Sequence, residues 1–224
     1  RALRREAIVK VPTCQQLRLV ERAFAHALHL RVVHQQLEAI DELPYRADER
    51  PDWDSYADNL ARTADAGLQP AVNMDTGYVQ LLSEADQTRV LDLARSVTGG
   101  RFVAGAFVAD DEGAAFDLAA YVRAAAAVSE RGGTPVICPS HGLNGHGDDG
   151  WVSSLQALGE ELDEYIGFEL GPMFVPYGRI PSLDAYRALV DIPACTGAKH
   201  SSLSRQLEWD RLAIRDAERP DFMV

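Results

Sequence analysis

From residue 60 onward the chain alternates short apolar runs with longer amphipathic segments. The apolar runs fall at 71–74, 101–108, 134–139, 167–175, 194–199 and 221–224. They are short and lack strict alternation, which predicts strands buried on both faces, as in a parallel sheet. They recur roughly every 30 residues, the spacing of βα units. The segments between them read as helices. Ser83 is an N-cap with Asp86 three positions on, followed by Val90, Leu93, Ala94 and Val97 on one face. Gly99-Gly100 then stops the helix. Leu118, Tyr121, Val122 and Ala125 repeat the pattern up to Gly132-Gly133. Leu155, Leu158, Leu162 and Ile166 form a third stripe. Ser182 caps a fourth helix through Ala185, Leu189 and Val190, before Pro193. A fifth starts near Ser202 and runs to about Arg219. The stretch 141–150 (HGLNGHGDDG) reads as a glycine-rich loop.

The first 60 residues fit the same scheme less closely. Residues 13–33 predict one long helix within an N-terminal helical segment, 1–35. A strand near 37–43 is poor by propensity because of Glu38, Asp41 and Glu42. A helix over 54–66 leads into the strand at 71. Counting from 37–43 there are seven strands. A β-α series of this kind closes into a barrel or opens into a doubly wound sheet. No strand is followed by GxGxxG or GxxxxGK[ST], so residues 36–224 are read as a (β/α)8 TIM barrel. It reaches the seventh strand at Val224, and an eighth unit would need further residues.

Composition then removes several classes of function. Hydrophobic residues make up 46% and charged residues 25%, values of an ordinary globular domain and not of a fibre, tail or disulfide scaffold. No apolar run approaches a membrane span. The net charge of -12 argues against nucleic acid, so small molecules or other subunits are the expected partners. Cys14, Cys138 and Cys195 are odd in number and form no CxxC, which points to a reducing cytoplasm. Of the 22 basic residues only Lys10 and Lys199 are lysines. Arginine keeps its proton, whereas a lysine can lose one and attack a carbonyl. Lys199, after Thr196-Gly197-Ala198 near a strand end, is therefore the candidate nucleophile. His141 and Tyr177 are the candidate proton carriers, and Tyr78 lies in the Thr-Gly loop. The spacing of His141, His146, Asp148 and Asp149 matches no standard metal pattern, and neither metal nor cofactor is expected.

Four motifs, in order, resemble the dihydrodipicolinate synthase / N-acetylneuraminate lyase family. Residues 192–202 (IPACTGAKHSS) are similar to its Schiff-base lysine segment. Asp75-Thr76-Gly77-Tyr78 with Leu82-Ser83-Glu84 resembles its Gly-Thr-Thr-Gly-Glu loop and the helix start that follows. Residues 175–179 (VPYGR) are similar to its Asn-Val-Pro-x-Arg. Pro44-Tyr45 with Asp52-Trp53-Asp54 resembles its Pro-Phe loop and the start of its first helix. The resemblance implies a (β/α)8 barrel and a class I, Schiff-base aldolase or lyase acting on a pyruvate-like 2-oxo acid. It assigns Lys199 as nucleophile, Asp75, Thr76 and Gly77 as the carboxylate loop, and Arg179 as a second anion contact. It also implies a homodimer or homotetramer. The departures are as informative. No tyrosine stands at 171–174, where the family carries its proton shuttle. Asp75 replaces the first threonine of the pair and would repel a substrate carboxylate if ionised. The alternative reading is a catalytically altered member that binds a small carboxylic acid or serves as a structural subunit.

Overall fold

A computed structural model describes residues 38–224. The helix expected over 13–33, the segment 1–35, Lys10 and Cys14 lie outside the described residues. The rest forms one sheet of six parallel strands in sequential order, separated by helices. Strand β1 (Glu38–Ile40) is followed by helix α1 (Trp53–Asp65) and β2 (Gln69–Val72). Then come α2 (Glu84–Thr98), β3 (Val103–Ala106), α3 (Leu118–Ser129) and β4 (Thr134–Ile137). Two helices follow, α4 (His141–Asn144) and α5 (Gly147–Glu161), before β5 (Tyr165–Leu170). The chain ends in α6 (Leu183–Val190), β6 (Cys195–Ser201) and α7 (Arg205–Glu218).

The caps explain why the helices start where they do. Ser83 and Ser182 accept from the backbone N–H groups of Asp86 and Ala185, as their spacing predicts. Asp52, Asp117 and Ser204 do the same for α1, α3 and α7. At the other end of α2, Gly99 takes the left-handed conformation at φ 66° and closes the last turn. All six residues of β5 are buried, as a parallel strand covered on both faces requires.

The sheet curls. In a flat sheet β2 and β6 would stand four inter-strand steps apart, roughly 19 Å. Yet Lys199 on β6 reaches Asp75 just past β2, at 2.8 Å. Residues alternate between the inner and outer faces of this curl. Ala71, Val103, Val136, Ile166, Phe168 and Leu170 form the inner cluster. Val72 and Ala104 face α1, α2 and α3, while Ile137, Tyr165 and Ala198 face the helices from α3 to α7. This is six consecutive strands of the expected (β/α) barrel. The seventh is present as a single parallel bridge, Gly197 to Met223, with Ala198 N–H donating to Met223 C=O at 2.8 Å.

Several boundaries differ from the sequence reading. The strand expected over 167–175 begins and ends earlier, because the chain turns at Gly171, where Phe174 N–H returns to its carbonyl. Ile166, read as the last position of a helical stripe, lies in β5 instead. The glycine-rich stretch 141–150 is helical, not a loop: Ser140 caps Leu143 N–H, and Asp148 and Asp149 sit in the first turn of α5. Among the described residues no helix is long and apolar enough to cross a membrane.

Candidate active site

A cavity of about 570 Å³ opens where the strands end, a volume typical of small-molecule sites. Its walls come from residues that follow successive strands: Glu42 after β1, Asp75 and Thr76 after β2, Phe107 after β3, Cys138 after β4, and Leu170 on β5. This is the C-terminal end of the curl, where barrel enzymes carry their chemistry.

Lys199 points into the interior from β6. Its register partner on β5 is Phe168, and Nζ lies 3.7 Å from the centre of that ring. Nζ also donates to Asp75 Oδ1 at 2.8 Å. Both partners line the cavity. About a quarter of each side chain in the ion pair remains exposed.

The loop that carries Asp75 is tied down tightly. Asn73 adopts φ 50°, a conformation asparagine tolerates, and so turns the chain out of β2. Its Nδ2 donates to Gln87 C=O, and Gln87 Nε2 donates to the carbonyls of Val79 and Leu82. Gly105 on β3 makes room beneath: a Cβ there would stand 2.1 Å from Asn73 O and 2.9 Å from the Cys138 sulfur. Within the loop, Gly77 N–H donates to Met74 C=O at 3.1 Å and Tyr78 N–H to Asp75 C=O at 3.0 Å. The Gly77 N–H expected to grip a carboxylate is thus already engaged by the turn. Thr76 lines the cavity.

Tyr177 lines the cavity from the β5 side, and burial raises its phenol pKa, with smaller contributions from Cys138, Asp110 and Asp75. His141 does not line the cavity but stands behind Tyr177, ring centres 4.6 Å apart. Asp110 fixes it there by accepting from the backbone N–H groups of His141 and Gly142, at 2.8 and 2.7 Å. Sequence reasoning missed this carboxylate, 31 residues upstream of the helix it caps. Arg179 is not brought to the cavity. Its guanidinium pairs with Asp148 on α5, which also accepts from Ser182 N–H at 3.1 Å. Cys138 on the cavity wall is pushed up to about 12, by burial first and then by the charge of Asp75. Among the described residues no group of three His, Cys, Asp or Glu could hold a metal ion.

A second polar cluster, also missed, lies on the outer face of the same two strands. Glu169 on β5 and His200 on β6 are register partners, and both are buried. Arg211 on α7 donates to both Glu169 oxygens at 2.6 Å and to Pro181 C=O. His200 joins Glu169 Oε2 through Nδ1 at 2.8 Å and Ser202 Oγ through Nε2 at 2.7 Å. Serine, histidine and carboxylate in this order resemble a hydrolytic triad. Here, however, Arg211 occupies the carboxylate, Ser204 N–H donates to Ser202 Oγ, and Ser202 is buried away from the cavity. The cluster fastens β5, β6 and α7 together.

The described chain therefore belongs to the class of (β/α) barrels with a lysine facing the interior near the strand ends. No protein-family model and no curated protein matches it. Solved structures do, among them dihydrodipicolinate synthases, of the family that the sequence motifs resemble. The enzyme from Bacteroides thetaiotaomicron matches with a TM-score of 0.68 at 16% identity, over 84% of this chain and 61% of that one. The enzyme from Thermotoga maritima matches with 0.65 at 14% identity, over 85% and 63%. That from Bacillus clausii gives 0.63 at 16% identity, over 83% and 59%. At these identities the likeness establishes the fold. The chain spans 59% to 63% of the length of these structures.

Proposed function

We propose that this chain is a Schiff-base-forming lyase or aldolase of the dihydrodipicolinate synthase / N-acetylneuraminate lyase superfamily, acting through Lys199. The observation that carries the reading is the contact of Lys199 Nζ with Asp75 Oδ1 beside a cavity at the strand ends. Asp75 is within reach to take the proton that the lysine must lose before its amine attacks a carbonyl carbon. Attack gives a carbinolamine. Its oxygen leaves as water, and the resulting iminium draws electrons from the neighbouring carbon, where a bond then forms or breaks. The iminium has two partners in hand, the Asp75 carboxylate and the face of Phe168. Tyr177, on the cavity wall with burial raising its phenol pKa further, is the proton donor, with His141 behind it. The substrate is a small carbonyl compound, a 2-oxo acid being the class that the resemblance implies, and Thr76 on the cavity wall is its contact in the loop.

The test is reduction with borohydride in the presence of a panel of small carbonyl compounds, followed by peptide mapping. A stable adduct is expected on the peptide containing Lys199 and not on Lys10. Lys199→Arg should remove it while leaving the circular dichroism spectrum unchanged. Label on Lys10 alone, or on neither lysine with every compound, overturns the reading. Assembly as a dimer or tetramer, with residues 1–35 as a helical segment apart from the barrel, completes the proposal. Light scattering tests the assembly, and a clean monomer would refute that part of it.

A further inference from the structure

We propose that Asp75 selects for carbonyl substrates that carry no carboxylate, and that the site takes an uncharged hydroxy-ketone or hydroxy-aldehyde. The inference rests on the imine-forming role of Lys199 and names the substrate for it.

Charge sets the preference. The residues described on the cavity wall include two carboxylates, Glu42 and Asp75, and no lysine, arginine or histidine. Among the described residues the cation beside that wall is Lys199, and Asp75 is already bound to it. Arg179, the remaining candidate for an anion contact, pairs with Asp148 through one nitrogen and does not line the cavity. The turn has consumed the Gly77 N–H. A 2-oxo acid carries its carboxylate on the carbon that Lys199 attacks, so that charge would arrive beside the Asp75 carboxylate. Like charges a few ångströms apart in a half-buried site weaken binding roughly tenfold or more. In an uncharged ketone the conflict disappears.

The covalent step also balances without a second anion. The ammonium of Lys199 gives its proton to Asp75, and its lone pair attacks the carbonyl carbon. The carbonyl oxygen departs as water, taking up two protons. One comes from the attacking nitrogen and the other is returned by Asp75. What remains is a protonated iminium facing an Asp75 carboxylate, a neutral pair. With a 2-oxo acid the same step leaves one uncompensated negative charge. A hydroxyl in place of the carboxylate would meet Thr76, Asp75 or Glu42 as hydrogen-bond partners.

Hydroxyacetone and pyruvate form a matched pair of probes, differing only in a CH₂OH group for a carboxylate. Each would be incubated with the full chain and reduced with borohydride, which delivers hydride to the iminium carbon and leaves a secondary amine. Adduct at Lys199 is read by peptide mapping against Lys10, whose labelling corrects for the intrinsic reactivity of each ketone. The corrected yield should favour hydroxyacetone at least tenfold in the wild type, and Asp75→Asn should pull the ratio toward one. Because Asp75 also serves as the base, the variant is judged on the ratio and not on the total yield. If Asp75→Asn gives no adduct at all, saturation-transfer NMR reads non-covalent binding of the two probes to wild type and variant, with the same ratios expected. Pyruvate labelling wild-type Lys199 as well as hydroxyacetone does would overturn the inference and leave the imine reading standing. A preference unchanged in Asp75→Asn, whichever readout gives it, would remove Asp75 as its cause. Absence of any Lys199 adduct in the wild type with either probe would overturn this inference, while the wider carbonyl panel decides the imine reading separately.

Discussion

Two pairs of residues stand one step apart on β5 and β6. Phe168 and Lys199 face the inside of the curl, and Glu169 and His200 face outward. Both faces hold an ion pair, but under opposite conditions. On the outer face the side chains of Glu169 and Arg211 are 0% exposed, and four of their polar contacts are 2.9 Å or shorter. On the inner face Lys199 and Asp75 are 25% and 23% exposed and meet each other through one hydrogen bond. A buried charge persists only when its remaining hydrogen bonds are satisfied, so the outer cluster is scaffolding. A charge with one hydrogen-bond partner and open space beside it is free to exchange that partner for a ligand. Burial and saturation, more than residue type, separate the serine, histidine and carboxylate of the outer face from the lysine and aspartate of the inner one.

The comparison breaks most visibly in stability. Glu169→Gln keeps the shape but removes the charge that Arg211 needs, leaving a buried guanidinium uncompensated. A loss of about 3–5 kcal/mol is expected from denaturant unfolding. Lys199→Met removes a charge of the same size from the inner face and should cost about 1 kcal/mol or less, because Asp75 retains access to water. If the two losses are equal, the distinction between scaffold and site fails.

The two faces also differ in how far the sequence betrays them. Lys199 was legible because it is one of two lysines among many arginines and lies in a recognisable run near a strand end. The β-α alternation, the caps at Ser83 and Ser182 and the stop at Gly99 followed from local pattern alone. Asp75 was visible as an oddity in its loop, but its contact with a lysine 124 residues away depends on the curl of the whole sheet. The outer cluster joins residues 31 and 42 positions apart and has no local signature. One signal was present: Glu169 is a charge inside an apolar strand, and such a charge demands a buried partner. The helices over 141–150 were hidden by four glycines, which disfavour helix, while the carboxylate of Asp110 that holds their start comes from another loop.

Arg179 and Asp148 supply an intermediate case, and the smallest expected effect. Their side chains are 23% and 33% exposed, and Asp148 has more than one partner. Hydrogen bonds from Ser182, first among the causes, and the charge of Arg179 hold the Asp148 carboxyl below its ordinary range, against an opposing push from burial. A carboxyl whose pKa is lower in the folded state contributes stability that is fully present above its unfolded value, about 4. That contribution fades as the pH falls through the folded value. Asp148→Asn should therefore cost a few tenths to about 1 kcal/mol at pH 7, where solvent screening keeps the pair weak. The difference between wild type and variant should shrink as the pH is lowered from 5 toward 2. Urea unfolding at several pH values measures it. A difference that stays constant over that range would mean that the charge of Asp148 contributes nothing to stability. Arg179 would then be free to turn toward the cavity and offer a substrate carboxylate the cation that the wall lacks.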